Sequence, residues 1–244
     1  MTAGGLDARD KELSLLEHLD EFKRRLVVSA IAVAITTSIA LAFAIDIIKI
    51  LLIPTGQRRL ISLSPTENFS TIFHVALMSG IALAMPVLLY EVYAYIDPAL
   101  HKNERRFLLS MGPFVLGLFV TGMAFCYFLL LPPSLQFLIN FGGEVIENQL
   151  RASEYLSFVT TYILAMGLVF EMPAIIFALI RIGLVKRSLL TKARRYVFLG
   201  CFVLGAAITP TPDPFNQSLV SIPMYLLFEL GLLLARVGAP RPAA

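Results

Sequence analysis

The sequence predicts an all-α, polytopic membrane protein with six transmembrane helices, the last two of them short, and with both termini in the cytoplasm. Three observations lead to this fold class. Of the 244 residues, 57% are hydrophobic and 15% are charged, and the mean hydropathy is +0.78, which is too apolar for a soluble domain. Six apolar runs follow one another, separated by polar connections. Finally, the cations are concentrated in alternate connections.

Residues 1–25 form the first predicted unit, a cytoplasmic amphipathic segment. Between Lys11 and Arg25 the apolar residues recur every three or four positions, which is typical of an amphipathic helix lying on a membrane surface. An ordinary solvated face that ends in cations at the membrane edge explains the same pattern, and both interpretations stay open. We see no short apolar run with a small-residue cleavage site, so we expect the segment to remain in the mature protein.

Residues 26–234 form the predicted transmembrane unit, and residues 235–244 a cytoplasmic tail. Four apolar runs are each longer than the roughly 20 residues that cross a hydrocarbon core of about 30 Å: Leu26–Leu52, Ile72–Tyr95, Phe107–Leu131 and Tyr155–Ile180. The last two runs, Tyr196–Ile208 and Leu219–Leu234, have 13 and 16 residues. Helices of this length either fail to span the core or thin the bilayer around them.

Prolines and glycines divide these runs. Pro54 and Gly56 are expected to end the first span, and Pro132-Pro133 the third. The connection from Ser134 to Glu154 is polar, and its part from Gln136 to Phe141 is predicted as a short surface helix. The last two spans are joined by the proline-rich turn Thr209–Gln217.

The cations predict which side of the membrane each connection faces. Six spans place both termini on one side, and that side carries 16 of the 20 Lys and Arg residues. The other side carries Lys49, Arg58, Arg59 and Arg151. By the positive-inside rule, both termini are cytoplasmic. The same distribution argues against nucleic acid as a partner, because the cations flank the membrane and do not form one basic face.

The sequence gives no indication of an enzyme or of a cofactor. The histidines His18, His74 and His101 fall at different membrane depths, which does not suit a metal site, and neither an HExxH pair nor a GxSxG elbow is present. Cys126 and Cys201 both lie inside apolar runs, where they act as small hydrophobes.

Acidic residues near or inside the spans are the candidates for function. The short hairpin Tyr95–Arg106 places Glu104 beside Arg105 and Arg106, where it either pairs with its neighbours or receives a cationic ligand. Glu171 lies deep in the fourth span, where a carboxylate is costly and usually faces a bundle interior or a water-filled cavity, although a hydrogen-bonded structural role is also open. Asp213 lies among prolines, where capping is the simpler explanation.

Several motifs, in order, resemble those of the TatC family, the multi-spanning receptor subunit of the twin-arginine protein translocase. The stretch His18-Leu-Asp-Glu-Phe-Lys-Arg-Arg-Leu26 is similar to the family's amino-terminal pattern, and Pro98-Ala-Leu-His-Lys-Asn-Glu-Arg-Arg106 to its first cytoplasmic loop. Phe170-Glu-Met-Pro173 and Thr209-Pro-Thr-Pro-Asp-Pro-Phe-Asn-Gln217 resemble its fourth-span element and its last outer turn. The resemblance covers nearly the whole chain.

The resemblance implies a receptor without catalytic residues that binds the twin-arginine signal peptides of folded cargo proteins. It implies single-span TatA- and TatB-type partners, a homo-oligomer within a larger complex, and transport driven by the proton-motive force across the cytoplasmic (inner) membrane. Carried over residue by residue, Glu21 and Glu104 receive the signal's arginines within a site that also includes Tyr95, Lys23, Arg105 and Arg106. Glu171 lines an intramembrane cavity, and Asp213 and Gln217 lie near a partner contact at the outer end.

A proton-coupled secondary transporter of a small cationic solute is the alternative function. Glu171 would then carry the proton. Such a protein usually contains an inverted repeat, and we find no convincing repeat in this sequence.

Overall fold

The computed structural model describes residues 15–56, 60–97, 102–141, 149–209 and 213–238. Within these ranges the chain is helical apart from short connections and one isolated parallel bridge between Ile61 and Arg151. Parts of the predicted features lie outside the described residues. They are residues 1–14, Arg58 and Arg59, Pro98 to His101 of the hairpin, residues 142–148 of the connection after α5, residues 210–212 of the last turn, and the tail from residue 239.

Ten α-helices form in the described part of the chain, and their bounds follow in chain order: α1 Leu15–Ala42, α2 Ala44–Leu52, α3 Pro65–Ile96, α4 Lys102–Phe125, α5 Leu131–Asn140, α6 Ala152–Val169, α7 Met172–Arg181, α8 Arg187–Lys192, α9 Arg194–Ile208 and α10 Pro214–Gly238. Five stretches are long and apolar enough to cross a membrane, namely His18–Ala42, Pro65–Ile96, Glu104–Asn140, Ala152–Arg181 and Pro214–Arg236. The prediction of an all-α protein with several membrane spans is confirmed.

Helix α1 joins the predicted amphipathic segment to the first span. It runs without a break from Leu15 to Ala42, because nothing between these residues is a glycine or a proline. The helix then turns at Phe43 and continues as α2. The sequence did not predict the turn at Phe43.

The prediction that Pro132-Pro133 ends the third span is wrong. Helix α4 continues through a π-helical turn, Cys126–Leu130, directly into α5. Both prolines lie in the first turn of α5, directly after the π-helical turn, and the helical backbone continues past them. The predicted surface helix Gln136–Phe141 is the carboxyl-terminal half of α5.

The prediction that the last two spans are both short holds for only one of them. Helix α9 has 15 residues, about 22 Å at 1.5 Å per residue. Helix α10 has 25 residues, because polar residues that the hydropathy pattern excluded, including Asn216 and Gln217, form its first turn. The prediction of a short final span is therefore wrong.

Helix α6 lies at the centre of the packing. It contacts α3 and α4, and buried residues recur along it at Tyr155, Val159, Tyr162 and Met166. By contrast, α1 packs on α3 through small residues such as Ala40, Ala76 and Gly80, while Ile31, Ile35 and Ile39 on its other side are exposed, as expected for a surface in contact with lipid.

The alternating direction of the long helices gives the molecule two ends. The start of α1, the end of α3, the start of α4 and the ends of α7 and α10 lie at one end, which we call the hairpin end. The loop before α3, the end of α5, the start of α6 and the start of α10 lie at the other, which we call the opposite end. The predicted binding residues divide between these ends, with Glu171 between them.

Candidate functional site

At the hairpin end, the first turns of α1 dock on the last turn of α3 through aromatic rings. The imidazole of His18 stacks on the ring of Tyr95, with centroids 4.6 Å apart, and Phe22 meets the same ring edge-on at 5.6 Å. Helical spacing places His18, Phe22 and Arg25 on one side of α1. Two predicted site residues, Glu21 of α1 and Tyr95 of α3, are thereby brought to the same surface.

An arginine of the chain itself bridges two carboxylates beside this aromatic contact. Arg25 donates from Nη2 to Glu21 Oε1 at 3.2 Å and from Nη1 to Glu91 Oε2 at 3.1 Å. Glu21 is one helical turn away on α1, whereas Glu91 lies 66 residues away on α3 and is buried. The pair between Arg25 and Glu91 forms only because the two helices pack on each other.

A second arginine closes the hairpin between α3 and α4. The guanidinium of Arg105 pairs with both carboxylate oxygens of Asp97 through Nε and Nη2. The hydroxyl of Tyr93 donates to Asp97 Oδ1 at 2.9 Å and lies 3.4 Å from the carbonyl oxygen of Arg105. A bidentate pair of this kind fixes the geometry of both partners. Arg105 therefore braces the hairpin through Asp97, a residue that the sequence motifs did not indicate.

The remaining predicted residues of this end are at or near the surface. Glu104 is half-buried in the first turn of α4, next to the braced Arg105. Lys23 and Arg106 are exposed. The hairpin end thus presents the carboxylate of Glu104 from the first turn of α4, next to the pair between Arg105 and Asp97.

An apolar cavity of about 480 Å³ lies between α3, α4 and α7 near this end. Tyr93, which braces the hairpin, is one of its lining residues, and Pro86, Leu116 and Ile175 line it further from the hairpin. A cavity of this size is within the range of small-ligand and peptide side-chain pockets. It offers an apolar surface that adjoins the charged residues of the hairpin end.

Glu171 lies where the fourth span is interrupted. Its backbone joins α6 to α7, the residue is only 3% exposed, and Pro173 lies in the first turn of α7. Neither carboxylate oxygen has a hydrogen-bond partner among the described residues. Glu171 is not among the residues that line the 480 Å³ cavity, although Ala174 and Ile175 of the following turn are.

At the opposite end, Asp213 and Gln217 make contacts within the fold. Asp213 Oδ1 accepts from the backbone N–H of Asn216 at 2.7 Å, which caps the amino terminus of α10. Gln217 donates from Nε2 to the carbonyl oxygen of Phe202 at 2.9 Å and so ties α10 to α9. These contacts account for both residues structurally.

A buried carboxylate that the sequence did not single out, Glu67, joins the loop before α3 to the start of α6. It accepts from the hydroxyl of Ser153 at 2.6 Å, from Arg151 Nε at 2.9 Å and from the backbone N–H of Leu63 at 2.9 Å. The hydrogen bond to Glu67 raises the pKa of Arg151 above its ordinary value. The bridge between Ile61 and Arg151 lies beside this cluster. In sequence Glu67 looked like an ordinary loop residue, because its side-chain donors lie 84 and 86 residues away.

Within the described ranges, no group of three His, Cys, Asp or Glu side chains is arranged to hold a metal ion. The hairpin end offers carboxylates that bind guanidinium groups, next to aromatic and apolar surface.

Known proteins of one family match this chain over most of its length. The family model described as Sec-independent protein translocase protein (TatC) matches residues 17–223. The chain belongs to the TatC family. Its TatC relatives include the Sec-independent protein translocase protein of Carboxydothermus hydrogenoformans, which is 33% identical over 95% of this chain and 96% of the relative. The protein of Deinococcus radiodurans is 35% identical over 91% and 86%.

Solved structures of the twin-arginine translocase receptor TatC share the fold. One superposes with a TM-score of 0.80 at 35% identity and covers 90% of this chain and 98% of the solved chain. A second, solved in DDM, gives a TM-score of 0.82 at 35% identity, with coverages of 89% and 99%. TatC proteins are membrane components of a protein translocase, so the family places this chain in protein transport.

Proposed function

We propose that this chain is the receptor and core subunit of a twin-arginine translocase, which binds twin-arginine signal peptides and helps to export folded proteins. The observation that carries the proposal is the convergence at the hairpin end. There α1 and α3 pack so that Glu21 and Tyr95 share a surface, and the first turn of α4, which Arg105 pairs with Asp97, carries Glu104. A carboxylate suits the planar fork of arginine better than the point charge of lysine.

We place the signal's arginines at Glu21 and Glu104, with Lys23 and Arg106 at the rim of the site. The apolar part of the signal lies along α3 and α4, where the 480 Å³ cavity adjoins the charged residues. Arg105 contributes by joining the start of α4 to Asp97 at the end of α3. The chain binds and positions the peptide, and no residue of it is assigned a catalytic role.

A binding measurement tests this function. Purified protein in nanodiscs is titrated with a labelled signal peptide that contains two arginines and with the same peptide containing two lysines. We expect the arginine peptide to bind at least about tenfold more tightly, equivalent to about 1.4 kcal/mol. Glu104→Ala should weaken its binding, and Glu229→Ala, which removes the pair with Arg194 at the same end, serves as the control. Equal binding of the two peptides would contradict the proposal.

The membrane arrangement that we propose has six spans, with both termini in the cytoplasm of a cell whose inner membrane contains the protein. The span that adds to the five long apolar stretches is α9, the fifth in chain order, whose 15 residues fall short of the full hydrocarbon core. Residues 1–25, 26–234 and 235–244 remain our proposed amino-terminal unit, transmembrane unit and tail, although α1 runs through the first of these boundaries.

The partners that we propose are TatA- and TatB-type single-span proteins and further copies of this chain. Exposed apolar residues along α9, including Leu199, Val203 and Leu204, support a helix-binding surface close to Gln217. A photo-crosslinker at Val203, compared with one at the exposed Ile35 of α1, tests where a single-span partner lies. We expect crosslinks from Val203, and crosslinks from Ile35 alone would contradict this placement.

The transporter alternative receives some support from Glu171, which is buried and has no hydrogen-bond partner in the part of the chain that the structure describes. Membership of a protein translocase family argues against it, and so does the lack of an inverted repeat in the sequence. We therefore retain protein export as the function.

A further inference from the structure

The ion pairs at the hairpin end show that a proposed receptor carboxylate already holds a guanidinium. Glu21 accepts from Arg25, and the same arginine is anchored on its other side by Glu91. An arginine of the signal would need the carboxylate of Glu21 in a similar way. We propose that Arg25 is an internal competitor, so that the signal's arginine binds Glu21 only when Arg25 gives way. This inference rests on the receptor function proposed above.

The accessibility of the three side chains fits an exchange at one side of the cluster. The side chain of Glu91 is 8% exposed, whereas those of Glu21 and Arg25 are 21% and 29% exposed. A peptide from solution can therefore reach Glu21 and Arg25 more easily than Glu91. Glu91 acts as the anchor that keeps Arg25 in place, and Glu21 is the carboxylate over which the two guanidinium groups compete.

The strength of the internal pair sets the apparent affinity of the site. If Glu21 is free of Arg25 in only a fraction of molecules, the apparent dissociation constant is the intrinsic value divided by that fraction. A pair between two carboxylates, one of them buried, is expected to hold more firmly than an isolated exposed pair. The same factor weakens every ligand of Glu21, so arginine and lysine peptides are affected equally.

Three substitutions test this competition, because it predicts effects of opposite sign. Arg25→Gln frees Glu21, and we expect the arginine peptide to bind about three- to tenfold more tightly. Glu91→Gln loosens the anchor and gives a smaller gain, whereas Glu21→Gln removes the binding carboxylate and weakens binding. Arg24→Gln removes an exposed cation from the neighbouring position and controls for the change in net charge.

A structural role for Arg25, in which it only docks α1 on α3, predicts a different pattern. All three substitutions would then lower the thermal unfolding temperature and weaken binding, and this result would overturn the proposal. An effect of Arg25→Gln no larger than that of Arg24→Gln would overturn it as well.

The preference of the wild-type protein for arginine over lysine peptides separately tests the receptor function. If wild type binds with that preference and Arg25→Gln does not bind more tightly, the competition alone fails. If neither protein binds the arginine peptide, both proposals fail.

Discussion

At the scale of single residues, Glu171 combines burial with the absence of a hydrogen-bond partner in the described part of the chain. A carboxylate in this setting is costly, and it is retained in spanning helices mainly where it contributes to function. If its role is to donate or accept hydrogen bonds in a polar pocket, an amide side chain can perform the same role. If it exchanges protons, an amide cannot.

We expect Glu171→Gln to retain export of a reporter that carries a twin-arginine signal, and Glu171→Leu to lose most of it. Glutamine preserves the polar group and the volume, whereas leucine removes every hydrogen-bonding atom. Export is measured from the periplasmic fraction, with Glu154→Leu, an exposed carboxylate at the start of α6, as the control. Full activity of Glu171→Leu would exclude the residue from function, and loss of activity in Glu171→Gln would indicate proton exchange.

Glu67 supports a second prediction at this scale, concerning stability. Its carboxylate accepts from Leu63, Arg151 and Ser153, so truncation leaves several donors without an acceptor. We expect Glu67→Ala to lower the thermal unfolding temperature more than Glu154→Ala, because Glu154 is exposed and pairs with Arg151 at 3.4 Å. Equal shifts in detergent-solubilised protein would show that the Glu67 cluster contributes little to stability.

Side-chain partners were the part of the site least accessible from sequence. Motifs indicated Glu21, Tyr95 and Glu104, because these residues lie in patterns that can be read locally. The pairing of Arg25 with Glu91, across 66 residues, depends on how α1 packs on α3. Asp97 precedes the loop motif Pro98–Arg106 by one residue, and its role follows only from its ion pair with Arg105.

At the scale of helices, the close crossing of α1 and α3 depends on Gly80. A Cβ atom on Gly80 would lie 2.6 Å from the Cα and 2.3 Å from the Oγ1 of Thr37, and the hydroxyl of Thr36 donates to the carbonyl oxygen of Gly80 at 2.8 Å. Small residues that permit such approach are typical of helix contacts in membranes. The same packing of α1 on α3 places Arg25 beside Glu91.

We expect Gly80→Ala to destabilise the protein by about 1–3 kcal/mol, because the backbone of Thr37 must move. Gly117→Ala is the matched control, since a Cβ atom there meets no atom within 4 Å. Unfolding in a denaturant series measures both. If the two substitutions have the same effect, the α1–α3 contact is looser than the structure shows.

Apolar runs located the long helices but not their ends. Composition alone placed Pro132-Pro133 at a helix end. A proline is also tolerated in the first turn of a helix, and both prolines occupy that position in α5. Likewise, Asn216 and Gln217 reduced the hydropathy of the last run and hid the first turn of α10. Capping by Asp213 and the bond from Gln217 to α9 stabilise this turn, and neither contact is readable from hydropathy.

At the scale of the whole molecule, the distribution of cations predicts how the chain lies in the membrane. Single cysteines are placed at Gln149 of the opposite end and at Lys186, next to α8, both of which are exposed. The background replaces Cys126 and Cys201, which are buried. We expect an impermeant maleimide to label residue 149 in intact cells and residue 186 only after permeabilisation. The reverse pattern would invert the proposed topology.

Glu104 is proposed to receive an arginine of the signal peptide directly, and a double-mutant cycle tests this contact. Wild type and Glu104→Ala are each titrated with the arginine peptide and with a peptide in which one arginine is replaced by alanine, and correct insertion of the variant is verified. If the two groups pair, the losses are less than additive, because either change alone breaks the same contact. We expect each single change to weaken binding at least about tenfold, or about 1.4 kcal/mol, and the combination to add little more. Full additivity for both arginines would contradict the claim and place the recognition site away from Glu104.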